Sequence, residues 1–121
     1  MPGLRSEVVV TITASAVSRH LRTQDWARSF TDQGGHRRAG YRCEDSYDFN
    51  HRPAVRVSWI PGDDYRTHDS KDVSAIVLAN VKAMQQALSV RYVVRLEKPD
   101  QTFGGDPYLM ITKKHPLQED D

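Results

Sequence analysis

HRRAGYRCEDSYDF (36–49) and RPAVRVSWI (52–60) stand two residues apart, and their pairing sets the architecture. In the first, Tyr41, Cys43, Tyr47 and Phe49 fall on one parity, with Arg42, Glu44 and Asp48 on the other. In the second, Val55, Val57 and Trp59 alternate with Arg56 and Ser58. Period-two alternation of this kind marks half-buried strands. FNHRP (49–53) holds the turn formers between them, so the two segments read as a hairpin. Asp45 interrupts the apolar parity and predicts a bulge or strand end there.

Working outward, EVVVTITA (7–14) reads as a strand rich in β-branched residues. SAVSRHLRTQDWARSFTDQ (15–33) reads as helical with a break near Thr23: Val17 and Leu21 are four apart, as are Trp26 and Phe30. Gly34 then stands where a helix C-cap glycine belongs. KDVSAIVLANVKAMQQALS (71–89) carries Val73, Ile76, Val77, Val81, Met84 and Leu88 at helical spacing, capped by Asp69 or Ser70. VRYVVRLEK (90–98) and YLMITKK (108–114) alternate as strands, and PDQTFGGDP (99–107) reads as the loop between them.

The resulting order is β-α-β-β-α-β-β, an α+β fold. Its first six elements match the split βαβ, or ferredoxin-like, two-layer sandwich. The seventh is expected as an additional C-terminal edge strand. A chain of 121 residues fits a single domain, with an ordered core over about 7–114 and an acidic tail, 115–121.

The composition is that of a water-soluble domain, 38% hydrophobic and 27% charged, with net charge +1. Cys43 is the lone cysteine, so an intrachain disulfide is excluded. MPGLRSEVVV (1–10) lacks the apolar core of a signal peptide, and no run reaches membrane-spanning length. The expectation is a reduced, cytoplasmic protein without membrane contact. Charge is uneven along the chain. Residues 1–42 carry seven arginines against three acids, and 43–72 carry four bases against seven acids.

Specific chemical signatures are missing. TDQGGHRRAG (31–40) has neither the phosphate-loop nor the dinucleotide-binding glycine spacing. EVVVTITA lacks the stacking aromatics that RNA-recognition motifs place on their first strand. Asp64 and His68, together with His51, form no recognisable catalytic or metal-binding spacing. No cofactor, metal or catalytic residue is therefore expected, and the chain reads as leaning away from an enzyme.

The leading expectation is a small non-catalytic binding protein that contacts another protein or itself as a homodimer. It would act as an accessory, inhibitory or assembly component of the kind phage and bacterial genomes encode. Tyr65, Phe103, Tyr108 and Met110 are the interface residues expected for that role. The alternative is nucleic-acid binding by Arg42, Arg56 and Arg95 on an open sheet face, with His36, Arg37 and Arg38 at its rim. A second alternative, a small hydrolase or nuclease, needs His51, Asp64 and His68 to converge.

Overall fold

The computed structural model describes residues 12–65, 67–99 and 105–115. They form α1 (Ala14–Thr23), β1 (Phe30–Thr31), β2 (Arg37–Arg38), β3 (Gly40–Tyr47), β4 (Pro53–Ile60), α2 (Ser70–Ser89), β5 (Tyr92–Glu97) and β6 (Tyr108–Lys114). A short 3-10 turn, Asp63–Tyr65, lies between β4 and α2.

β3 and β4 pair as the expected hairpin, in unbroken register from Gly40↔Ile60 to Tyr47↔Pro53. No bulge occurs at Asp45, which simply pairs with Val55. Its carboxylate instead accepts the Ala14 backbone N–H at 2.8 Å and ties the start of α1 to the middle of β3. The register irregularity lies elsewhere, between Val93 and Val94.

The four-stranded antiparallel sheet runs β3-β4-β6-β5. This corrects the expected edge position of the C-terminal strand: β6 is interior, paired with β4 on one side and β5 on the other. In a ferredoxin-like sheet the strand expected at 7–14 would hold that seat. Residues 7–11 of that segment lie outside the described ones. Its last residues are not strand: Thr13 is the N-cap of α1, accepting the Ala16 N–H, and Ala14 is helical.

One face of the sheet carries Tyr41, Val55, Val57, Trp59, Leu109, Ile111 and Tyr92 into the core. Val77, Val81, Met84 and Leu88 of α2 meet them, along with Val17 and Leu21 of α1. Each large aliphatic side chain so enclosed stabilises the fold by about 1.5–3 kcal/mol. His20 is buried among them; its Nε2–H donates to the Ala87 carbonyl at 3.2 Å and joins the two helices.

α1 ends at Thr23, at the expected break, and the second helical segment expected after it does not form. Asp25 takes a left-handed conformation, φ 67°. The Asp25 N–H then reaches the Arg22 carbonyl at 3.1 Å, and the Trp26 N–H reaches Leu21 at 3.0 Å. That is a Schellman stop built on aspartate rather than glycine, and Trp26 packs against the core cluster that includes Leu21. The spacing of Trp26 and Phe30 is therefore not helical.

Gly34 caps no helix; it lies in the turn joining β1 to β2. Two hairpin turns here share one design. Asp32 Oδ1 accepts the Gly34 and His36 N–H groups, both at 2.9 Å. Asp48 Oδ1 accepts those of Asn50 and Arg52, at 2.8 and 2.9 Å. In each turn the third residue after the aspartate is left-handed: Gly35 at φ 82° and His51 at φ 60°. This is the three-residue hairpin loop whose last residue must tolerate positive φ. The backbone N–H groups at His36 and Arg52 are the largest influence holding the Asp32 and Asp48 carboxyls below their ordinary range.

Two residues with side chains thus occupy backbone positions that favour glycine. Asp25→Gly and His51→Gly are each expected to raise the unfolding free energy by about 0.5–1 kcal/mol: relief of left-handed strain, less glycine's entropic cost. Urea denaturation checks this, and an unchanged or lowered midpoint for both variants would contradict it.

Candidate anion-binding cleft

The segment between α1 and β3 adds itself to the sheet edge. Tyr41 donates its N–H to the Ala27 carbonyl at 3.0 Å and accepts the Ser29 N–H at 2.9 Å. This close approach requires Gly40. A Cβ there would stand 2.4 Å from the Ala27 oxygen and 2.5 Å from the Ser29 nitrogen. The Tyr41 ring is buried, and its hydroxyl meets the Ser18 hydroxyl at 2.7 Å. β3 is thereby tied to α1 on one side and to the 27–29 segment at its edge.

Between these elements opens a cleft of about 540 Å³. Five arginines line it: Arg19 and Arg22 from α1, Arg28 from the added segment, Arg37 from β2 and Arg42 from β3. Ser15, Ser18, Ser29 and Thr31 contribute hydroxyls. Buried Tyr41 and the less enclosed Cys43 and Ile60 complete its lining from the sheet. Phe30, 56% exposed, stands at the wall. Among the described residues no carboxylate lines the cleft. Arg42 pairs with Glu44 at 3.2 Å; the other four arginines form no ion pair among the described residues. The Arg37 backbone N–H also donates to the Asp63 carboxylate at 3.0 Å. Positive charge in excess of these acids raises the local potential and attracts anions.

The basic residues singled out in the sequence divide into two groups. Arg42, Arg56 and Arg95 do share the face away from the helices, alternating with the core positions. Partners on that face already engage them. Glu44 lies opposite Arg56 in register, and the Arg56 guanidinium stacks on Tyr108 at 4.0 Å. Arg95 pairs with Glu97 and lies 5.5 Å above the Phe49 ring. At the 36–38 stretch, Asp32 draws in Arg38 at 3.0 Å and faces His36 at 3.8 Å. Arg37 alone of the three lines the cleft.

Arg19, Arg22 and Arg28 are not among the residues expected to bind an anion, because a second helical segment after Thr23 gives no sign that residues 27–29 run along the edge of β3. An Arg19-x-x-Arg22 pair on a single helix face was the available signal. Among the expected interface residues, Tyr108 and Met110 share the open face. Tyr65 is on the other side, edge-on to Trp59 at 6.0 Å and packed on His68. Phe103 lies outside the described residues.

His51 and the Asp64–His68 pair sit at opposite ends of β4. Eight strand residues separate such ends by about 25 Å, so the three do not converge. Among the described residues, no group of three or more His, Cys, Asp or Glu side chains could hold a metal ion. No helix of the described residues is long and apolar enough to cross a membrane.

Burial pushes the Cys43 thiol up to about 12, and the nearby Arg28 charge only partly offsets it. A thiol held protonated is a poor nucleophile. The unfolded chain would release this proton first, near pH 9, so Cys43 favours the folded state below that pH and less as pH rises through it.

No protein-family model matches the chain, and no curated protein or solved structure was found similar to it.

Native Cys43 is expected to show no rise in alkylation rate centred near pH 9, whereas the urea-unfolded chain shows one. Stopped-flow thiol labelling across pH 7–10 makes the comparison, and matching profiles would contradict the burial described.

Proposed function

We propose that this is a small binding protein whose partner is nucleic acid, gripped by phosphate contacts in the arginine cleft rather than on the open sheet face. The supporting observation is the concentration of five arginines, four of them without an ion pair among the described residues, around one concave surface without a lining carboxylate. Arginine suits the task because its planar donor fork matches phosphate oxygens. Binding requires no group of this chain to change its bonds, which agrees with the lack of convergence among His51, Asp64 and His68. The protein acts by occupying or covering its partner.

Electrostatic binding of this kind weakens steeply with salt. Each phosphate neutralised adds about 0.7–0.9 to the slope of log affinity against log salt. The double variant Arg19→Ala/Arg28→Ala is expected to weaken binding by about tenfold or more at low salt and to flatten that slope by roughly 1.5. Arg56→Ala and Arg95→Ala are expected to leave both unchanged. Fluorescence anisotropy with a mixed oligonucleotide pool checks this. Equal losses from the open-face and cleft variants would contradict the assignment.

A second reading rests on a different observation. The open face combines two arginine–aromatic pairs, Arg56 with Tyr108 and Arg95 with Phe49, beside Met110. Those residue types are enriched where proteins meet. In this reading the face docks a protein, another chain or a second copy of this one. Light scattering at low and high salt tests the second-copy case: a dimer that survives high salt and is lost on Tyr108→Ala supports it, and a monomer throughout counts against it.

A further inference from the structure

We propose that the cleft receives an unpaired nucleotide of a single strand, with its phosphates on the arginines and its base on Phe30. The inference rests on the nucleic-acid reading above and narrows it. Three observations carry it.

The first is shape. The cleft is a concavity of about 540 Å³, with Tyr41, Cys43 and Ile60 in its lining. That is the size class of pockets that enclose a small organic ligand. A duplex keeps its bases stacked inside and presents mainly backbone to such a cleft, leaving the Tyr41, Cys43 and Ile60 side of the lining without a base to meet. An unpaired nucleotide can splay its base inward, which is how single strands are commonly read.

The second is Phe30. It lines the cleft at 56% exposure, paired across the β1–β2 ladder with Arg38, while its neighbour Thr31 pairs with Arg37. Among the described residues no ring or guanidinium stacks on it, whereas the other highly exposed phenylalanine, Phe49, lies under Arg95. An uncovered ring within an arginine-rich groove has the chemistry of a stacking platform for a base.

The third is charge. A free nucleotide's terminal phosphate carries about −1.5 to −2. The four cleft arginines other than Arg42, which pairs with Glu44, exceed that, and a continuing phosphodiester backbone supplies the additional charges along its length. Arg19 and Arg22 bring their charges from α1, a different element from Phe30's hairpin.

The test uses the full chain and fluorescence anisotropy, with a labelled single-stranded oligonucleotide, the same sequence as a duplex, and an unlabelled nucleoside monophosphate as competitor. Single-strand binding is expected to exceed duplex binding by about tenfold, with the monophosphate a weak competitor. Phe30→Ala is expected to weaken single-strand binding by about tenfold while duplex binding stays as it was. Phe30→Trp is expected to restore it, because the indole stacks as well. Far-ultraviolet circular dichroism confirms that both variants remain folded.

Equal affinity for both nucleic acids, with no effect of Phe30→Ala, overturns the single-strand inference and leaves the nucleic-acid reading standing. Efficient competition by the monophosphate overturns it in favour of a free nucleotide. Absence of binding to either nucleic acid overturns both readings together.

Discussion

The structure depends on one absent side chain. At Gly40 the backbone of residues 27–29 comes so near that a methyl group would overlap it. That contact lets Tyr41 pair on both sides, with Trp59 across the hairpin and with the 27–29 segment at the edge. The Tyr41 hydroxyl then holds Ser18, and α1 is fixed beside the sheet. Without this approach Arg28 loses its place at the sheet edge; β2 has a second hold, where Gly62 lets the 37–39 backbone come close and Asp63 accepts the Arg37 N–H. The cleft follows from backbone packing, and its charges come with the elements that packing brings together.

Charge is sorted accordingly. Where the fold needs order it uses carboxylates: Asp32 and Asp48 organise the two hairpin turns, and Asp45 accepts the first helical N–H of α1. Several arginines nearby are spent on these acids or on aromatic faces. Arg38 turns to Asp32, Arg95 to Glu97 and Phe49, Arg56 to Tyr108. The side chains of the cleft arginines form no ion pair with these acids among the described residues, Arg42 excepted, although Asp63 accepts the Arg37 backbone N–H. A net charge of +1 conceals the contrast, because neutrality overall does not imply neutrality at each surface.

Periodic elements were legible in the sequence. Val55, Val57 and Trp59 announced β4, and the apolar spacing from Val73 to Leu88 announced α2 nearly to the residue. Failures came where a polar residue takes a conformation usually left to glycine. Asp25 ends α1 in a left-handed turn, so Trp26 and Phe30, which looked like a helix face, became a half-buried ring packed on the core and an exposed one. Strand order was also hidden: alternation shows that 108–114 is a strand but not that it lies between β4 and β5. The six basic candidates were found by type and parity, but the cleft assembles only when α1 and the 27–38 segment meet at the β3 edge. Of those six, only Arg37 and Arg42 reach it.

The most direct test of the central claim is where the protein is covered when nucleic acid binds. Amide hydrogen exchange with and without a short single-stranded oligonucleotide would locate it. The account predicts slowed exchange in residues 14–22, 27–31 and 37–42, with Arg56, Arg95 and Tyr108–Ile111 unaltered. Protection confined to the open sheet face, with none in α1 or the 27–31 segment, would contradict it.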